Sequence, residues 1–209
     1  MTNLPELKVT VFSDYICPFC YVGYHRLMRL RDSYDLKINW CFIEIHPETS
    51  AEGEPVTSLD YPSEQWKQLM QNLKAVADEE GIILAEHTFT TNSKDALLLA
   101  EAAKQQGRER FYQLHENLFS AFFVDAKNIG DRGVLRQLAK ASDIDDAIVE
   151  SAWNNDKHQQ RILANYQEAR RHEIQAVPSF IFGERKLTGV VTEQAFRSAA
   201  EALAQSSAA

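Results

Sequence analysis

The first part of the chain carries short apolar runs that are typical of strands. Residues 8–12 alternate weakly between polar and apolar residues, and residues 36–45 contain the strand-forming residues Ile, Trp and Phe. Between them, the apolar residues of the segment 17–31 recur with a helical period. Strand, helix and strand in this order predict a βαβ unit with two parallel strands and a right-handed crossover.

A second pair of apolar runs lies near the other end of the chain. Residues 179–182 and 186–190 are separated by a short turn, and this spacing predicts an antiparallel hairpin. Thr192 then caps a last amphipathic helix. The two end parts complete one sheet if the middle of the chain leaves and returns on the same side.

The middle of the chain has a helical period over about a hundred residues. Before it, residues 48–60 contain Gly, Pro, Ser and Thr without a period, which predicts a loop. Six helices are predicted in the middle, within residues 62–80, 93–106, 111–122, 131–138, 145–152 and 155–171. We therefore predict an α/β protein in which residues 1–60 and 173–209 form a discontinuous domain and residues 61–172 an inserted all-helical domain.

Composition narrows the class of protein. The 209 residues include 22 Lys and Arg against 30 Asp and Glu, a net charge of −8 that argues against nucleic acid or an anionic membrane as partner. No apolar run approaches the length that spans a bilayer. The N-terminus lacks the pattern of a secretory signal, and three cysteines are too few for a disulfide framework. We therefore expect a cytoplasmic protein, either a monomer or a homodimer.

The candidate chemistry lies at Cys17-Pro18-Phe19-Cys20. A strand that leads into a CxxC motif at the start of a helix is typical of a thiol–disulfide active site. The positive end of the helix dipole favours the Cys17 thiolate, which attacks disulfides, and Cys20 is close enough to resolve the mixed disulfide. Pro18 suits the first helical turn, where its missing N–H group has no partner to lose.

Other uses of the cysteines have less support. A zinc site needs two more nitrogen or sulfur ligands, and the histidines show no metal-site or triad spacing, so we predict surface or packing positions for them and no metal. Cys41 lies in an apolar run and is expected to be a small core residue.

A proline opens the late hairpin at Val177-Pro178. Proline cannot donate to a sheet ladder and belongs at the first residue or the edge of a strand. A cis peptide bond here would present the Val177 backbone to an extended substrate peptide. Because only about 5–6% of X–Pro bonds are cis, the dipeptide alone favours an ordinary trans proline.

Two segments resemble a known family. Residues 13–23, with the sequence Ser-Asp-Tyr-Ile-Cys-Pro-Phe-Cys-Tyr-Val-Gly, resemble the active-site stretch of the DsbA superfamily, most closely its FrnE-like branch, and residues 176–180 resemble its cis-proline loop. The resemblance implies a thioredoxin-like fold (βαβ…ββα) with an inserted helical domain. It also implies thiol–disulfide oxidoreductase chemistry with Cys17 as nucleophile, Cys20 as resolving thiol and Pro178 as the cis-proline.

The flanking residues refine this expectation. FrnE-like proteins commonly have Trp at the position of Phe19, and periplasmic DsbA proteins have His. Because Phe19 cannot donate a hydrogen bond to a thiolate, we expect a less oxidising couple than in periplasmic DsbA. We expect Phe19 to be exposed and to contact substrate together with Val177 and Pro178. Asp14 either acts on Cys17 as a nearby negative charge or lies in a surface turn, and both interpretations stay open.

Three functions remain to be compared. The first is reduction, formation or isomerisation of disulfides in protein or small thiol substrates, without a bound cofactor and with glutathione as a possible co-substrate. The second is a glutathione-dependent transferase or isomerase of the kappa or 2-hydroxychromene-2-carboxylate isomerase type. Those relatives have serine at the first cysteine position, so Cys17 argues against this function. The third is a binding protein whose CxxC motif senses redox state.

Overall fold

The computed structural model describes residues 4–86 and 88–207, so the predicted ranges 1–60 and 173–209 extend beyond it at both ends. Its strands are β1 (Glu6–Ser13), β2 (Asp35–Phe42), β3 (Glu54–Pro55), β4 (Phe89–Thr90), β5 (Ser179–Phe182) and β6 (Arg185–Thr188). Its α-helices are α1 (Pro18–Met28), α2 (Ser63–Glu80), α3 (Lys94–Ala103), α4 (Arg108–Phe123), α5 (Arg132–Ala141), α6 (Asp146–Asn154), α7 (Asp156–Arg171) and α8 (Glu193–Ser207).

Four strands form one mixed sheet in the order β2-β1-β5-β6. β1 and β2 are parallel, joined by α1, and β5 and β6 form an antiparallel hairpin. β5 pairs antiparallel with β1, so that Phe12 lies opposite Ser179. This is the thioredoxin-like arrangement that the resemblance implies, and the predicted βαβ unit and hairpin are both confirmed.

The central strand β1 carries the candidate site at its carboxyl end. Leu7 and Val9 alternate with exposed residues, whereas every side chain from Val11 to Ser13 is buried. Helices cover both faces of the sheet at this end, which is why the strand loses its alternation there. The chain then leaves the sheet directly into the CxxC motif.

Along the chain, the helices α2 to α7 lie between the two halves of the sheet. They do not form a separate core. One contiguous set of buried side chains includes Val11 of the sheet, Leu97 of α3, Phe119 of α4 and Phe180 of β5. Tyr15 and Tyr21 pack against Phe119, with ring centroids 4.8 and 5.2 Å away. The helical segment is therefore fixed to the sheet by buried aromatic rings.

Two details differ from the prediction. The segment 61–172 is not all helical, because Phe89–Thr90 pairs antiparallel with Glu54–Pro55 inside the predicted loop. A two-residue strand is too short to show a period, and its partner lies far away along the chain. The first helix ends as an α-helix at Met28 and continues as a 3₁₀ turn over Arg29–Asp32.

A buried ion cluster ties α1 to α2. Arg26 is 4% exposed and donates to Glu80 at 2.7 Å and to the Val191 backbone oxygen at 2.8 Å. Arg29 also contacts Glu80, at 2.6 Å. Because the Glu80 side chain is itself 5% exposed, this pair is shielded from solvent and holds the two helices in register. Of the helices in the described part of the chain, none has the length and apolar character needed to cross a bilayer.

Candidate active site

Cys17 lies at the N-cap position of α1. Its backbone is extended (φ −93°, ψ 110°), and Pro18 is the first helical residue. The Cys17 N–H donates to the Asp14 backbone oxygen at 3.3 Å, and the Cys20 N–H donates to the Cys17 oxygen at 2.9 Å. The Cys17 side chain makes no capping hydrogen bond with the first N–H groups of the helix. The positive end of the helix dipole thus lies at the first cysteine, which is the position where proteins place reactive thiols.

The second half of the sheet brings Val177 to this cysteine. The Cys17 Sγ atom lies 3.7 Å from the Val177 backbone oxygen, although the two residues are 160 positions apart. The Val177-Pro178 peptide bond is cis, as the resemblance implies. Pro178 is buried, and its backbone oxygen accepts from the Gly189 N–H at 2.8 Å, which fixes the loop against the end of the hairpin.

The second cysteine of the motif is more deeply buried than the first. Cys17 is 6% exposed and Cys20 is 2% exposed, and both are free thiols in the structure. Burial raises the pKa of the Cys20 thiol well above its ordinary value, and the Cys17 sulfur raises it further. Hydrogen bonds to the Asp14 backbone and to the Ser13 side chain act in the opposite direction. Cys20 therefore keeps its proton in the resting dithiol.

Asp14 is fully buried, so the interpretation as a surface turn residue is wrong. Its Oδ1 atom accepts from the Ile16 N–H at 3.3 Å, and its Oδ2 atom accepts from the Ile45 N–H at 2.8 Å and from the Ser93 hydroxyl at 3.0 Å. Burial raises the pKa of the Asp14 carboxyl to about 7 despite these bonds. The side chain thus joins the active-site loop, the segment after β2 and the start of α3.

Phe19 lies between the two cysteines and is half-buried. Its ring packs against the main core and also against a small cluster formed by Val22, Leu73 and Ala77. Leu73 and Ala77 belong to α2, so this helix covers one side of the ring and leaves the other partly open. The expected exposure of Phe19 is therefore corrected to partial exposure, because sequence periodicity did not show where α2 packs.

Gly23 lets α1 approach the proline loop. A Cβ atom at this position would lie 2.9 Å from Phe180 Cζ and 3.3 Å from Pro178 Cγ, both closer than ordinary contact. Glycine inside a helix costs about 1 kcal/mol relative to alanine. The glycine itself is visible in the sequence, whereas its neighbours Phe180 and Pro178 become visible only in the structure.

A buried aromatic cluster packs against the active-site loop through Tyr15. The Tyr15 hydroxyl lies 2.7 Å from His115 Nδ1, and both side chains are fully buried. Burial lowers the pKa of His115 well below its ordinary value, so the imidazole is neutral. The prediction of a packing role for this histidine is confirmed, whereas its contact with Tyr15 had no signal in the sequence.

Side chains of the types that bind metal ions are dispersed over the described residues. Within residues 4–86 and 88–207, no group of three or more His, Cys, Asp and Glu side chains is placed to hold a metal ion. Cys41 lies in a separate cluster with Phe12, Ile43 and Ile181, and burial raises the pKa of its thiol to about 11.

Comparison with known families agrees with this geometry. The family model described as the DSBA-like thioredoxin domain matches residues 8–201. The chain belongs to this family. As a DSBA-like protein it falls in the enzyme class expected above, the thiol–disulfide oxidoreductases.

Individual relatives cover nearly the whole DSBA-like chain. The uncharacterized protein YwbO of Bacillus subtilis (strain 168) is 28% identical over 202 residues, which is 92% of this chain and 95% of that protein. The probable DsbA oxidoreductase SCO1869 of Streptomyces coelicolor superposes with a TM-score of 0.83 at 21% identity, covering 96% of this chain and 91% of that one. The cytosolic disulfide reductase DsbM of Pseudomonas aeruginosa superposes with a TM-score of 0.70 at 14% identity, covering 95% and 99%. At these identities the two solved structures show the shared fold.

Proposed function

We propose that this DSBA-like protein reduces or isomerises disulfides with the Cys17–Cys20 dithiol. The observation that carries the proposal is the approach of the Cys17 Sγ atom to 3.7 Å from the Val177 backbone oxygen, at the start of α1. An extended substrate that pairs with the Val177 backbone brings its own disulfide to this sulfur. Phe19, half-buried beside the motif, then contacts the substrate on one side.

The proposed reaction has two exchange steps. The Cys17 thiolate attacks one sulfur of the substrate disulfide, an S–S bond forms between enzyme and substrate, and the other substrate sulfur leaves as a thiolate. Cys20 then loses its proton and attacks Cys17 Sγ, which releases the second substrate sulfur and closes the Cys17–Cys20 disulfide. The substrate gains two electrons and two protons. Two molecules of an external thiol return the enzyme to the dithiol.

The residue between the two cysteines supports reduction over oxidation. DsbA is a strong oxidant because its reduced form is stabilised. Here Phe19 has no hydrogen-bond donor that could stabilise the Cys17 thiolate. A more reducing couple suits a cytoplasmic protein of the FrnE-like branch. DsbM, whose fold is similar, is named a cytosolic disulfide reductase.

Glutathione is the external thiol that we propose. DsbM has also been solved with GSH. In the present protein, Val177 lines a cavity of about 420 Å³ whose wall includes the apolar side chains of Ile43 and Ile174 and the charged side chains of Glu44 and Arg170. An anionic and a cationic group in the cavity that Val177 lines fit a small peptide thiol that itself carries both charges.

Insulin reduction by dithiothreitol tests the proposal. We expect the wild-type protein to accelerate precipitation of the insulin B chain, Cys17→Ser to abolish the acceleration, and Cys20→Ser to accumulate a mixed disulfide visible by mass spectrometry. Cys41→Ala is the matched control and should keep the activity. No acceleration over dithiothreitol alone, or equal activity of Cys17→Ser, would contradict the proposal.

A second measurement tests the dithiol itself. The protein is equilibrated in a series of glutathione redox buffers, alkylated and analysed by mass. We expect Cys17 and Cys20 to interconvert as a pair while Cys41 stays reduced. A stable single glutathione adduct on Cys17 would instead favour a glutathione-dependent transferase or isomerase.

A further inference from the structure

β2 is an outer strand of the sheet, and most of its free edge is covered by side chains. The backbone groups of its even-numbered residues point away from β1. Side chains of the helical segment donate to outward carbonyl groups of β2 and of Glu44 just after it: Arg108 to Leu36, Lys104 to Trp40, Asn165 to Phe42 and Tyr166 to Glu44. Ile38 lies in the middle of this row. In the part of the chain that the structure describes, no side chain bonds to its outward N–H or C=O.

A cavity surrounds this gap in the edge. It has a volume of about 380 Å³, within the range of small-ligand and peptide pockets. Its floor is the β2 segment 36–40, and its walls include the rings of Phe111 and Tyr112. The gap therefore combines two unpaired backbone groups with apolar walls.

The cavity carries more positive than negative charge. Lys37 and Arg108 share the carboxylate of Asp35, at 2.8 and 3.2 Å. In the same way, Lys104 and Arg161 share Glu101, at 2.6 and 3.8 Å. Four cations thus face two carboxylates, in a chain whose net charge is −8.

A fifth cation lies behind the wall of the cavity. The Arg31 guanidinium stacks over the Tyr112 ring at 4.2 Å, and its Nε and Nη2 atoms are buried without a hydrogen-bond partner in the described residues. Because no carboxylate of the described residues forms an ion pair with Arg31, it adds to the positive potential at the gap.

We propose that this gap in the β2 edge binds an extended acidic peptide segment of a partner protein. One residue of the segment pairs with the Ile38 N–H and C=O as an added strand. Acidic side chains on either side of that residue contact Arg161 and Lys37, which line the cavity and are exposed. A second copy of this chain fits less well, because two surfaces with the same surplus of positive charge would face each other.

Peptide binding tests this surface, which is separate from the proposed disulfide site. The probe is a fluorescently labelled hexapeptide of alternating Glu and Val, measured by anisotropy at low ionic strength. Its counterpart with Lys in place of Glu controls for charge. We expect the acidic peptide to bind and the basic peptide not to bind.

Two arginines on α7 provide a matched pair of variants. Arg161 and Arg171 are both exposed, and each has an ion pair with one glutamate, but only Arg161 lines the cavity. We expect Arg161→Gln to weaken peptide binding about two- to five-fold and Arg171→Gln to leave it unchanged. Equal effects of the two variants, or equal binding of both peptides, would overturn the proposal.

Ile38→Pro tests the backbone contribution. Proline removes the outward N–H group, and an edge strand tolerates proline where that group faces away from its neighbour. We expect binding to fall by on the order of tenfold, with insulin reduction retained as evidence of folding. Unchanged binding by the folded variant would overturn the proposal. Sedimentation provides a second check: if the wild-type protein is a dimer and Ile38→Pro is a monomer, the edge binds a second copy and the proposal is also overturned. Should this variant not fold, the arginine pair and the two peptides still decide the result.

Discussion

The buried carboxyl of Asp14 makes a quantitative prediction about stability. Its pKa is raised from 3.8 to about 7 because burial disfavours the charged form. One pKa unit corresponds to about 1.4 kcal/mol, so the step amounts to about 4 kcal/mol of preference for the protonated form in the folded state. The perturbation is Asp14→Asn, which removes the titration and keeps the shape of the side chain.

The sign follows from proton binding. Between pH 3.8 and about 7 the folded protein holds a proton on Asp14 that the unfolded chain has released. The stability contributed by this proton is complete below pH 3.8 and is lost as the pH rises through about 7. From pH 5 to pH 8, wild-type should therefore lose about 3 kcal/mol that Asp14→Asn does not lose.

Urea unfolding at several pH values, with the thiols kept reduced, measures this loss. The difference in free energy of unfolding between wild-type and Asp14→Asn isolates Asp14 from other groups. His115, buried and neutral, contributes stability that is lost as the pH falls, and it does so equally in both proteins. The amide nitrogen of Asn cannot accept from Ile45 and Ser93, which adds an offset of about 1–3 kcal/mol that does not depend on pH.

The control is Asp143→Asn, which removes one carboxyl group from an exposed turn. The backbone of Asp143 is left-handed, a conformation that Asn also adopts. It should keep the wild-type pH profile. A difference between wild-type and Asp14→Asn that stays constant from pH 5 to pH 8 would refute the reasoning, because Asp14 would then titrate alike in the folded and unfolded chains.

Three further predictions concern packing, charge and thiol reactivity. Gly23→Ala should lower the free energy of unfolding by about 1–3 kcal/mol and reduce insulin reduction, because its Cβ meets Phe180 and Pro178; wild-type activity at lowered stability would show that the proline loop does not move. Glu80→Gln should cost about 1–3 kcal/mol in urea unfolding, because the buried Arg26 loses its buried carboxylate partner but keeps its ion pair with the more exposed Glu79; an unchanged free energy of unfolding would mean that solvent reaches this pair. Iodoacetamide should modify Cys17 before the other cysteines, because burial raises the pKa of Cys20 and of Cys41; mass spectrometry of the alkylated peptides shows the order, and faster modification of Cys20 would contradict the assignment.

The local patterns of the sequence were sufficient for the outer parts of the fold. The alternation and turns around β1, β2, β5 and β6 predicted the βαβ unit and the hairpin, because those patterns are set by which face of each element is buried. The CxxC motif at the start of a helix likewise made Cys17 and Cys20 the candidate residues of the site, since its chemistry needs only residues adjacent in sequence.

The surroundings of the site depended on contacts between distant residues. Asp14 owes its burial to Ile45 and Ser93, which are 31 and 79 positions away. The strands β3 and β4 contain two residues each and have no periodicity to detect. Neither feature leaves a local pattern, so sequence analysis left the role of Asp14 open and gave a helical description of a segment that also contains a strand.

The separation of Cys17 from Val177 has a consequence for how the protein is made. Both cysteines leave the ribosome well before the proline loop and the hairpin beside them, which belong to residues 177–188. The helices between them form mainly local contacts and can fold first, whereas joining β5 to β1 must close a loop of 160 residues. The nascent chain therefore carries an unpositioned dithiol until residues 177–188 have been made. A chain truncated before β5 lacks the backbone that we propose receives the substrate, so the proposed activity requires synthesis to continue beyond the hairpin.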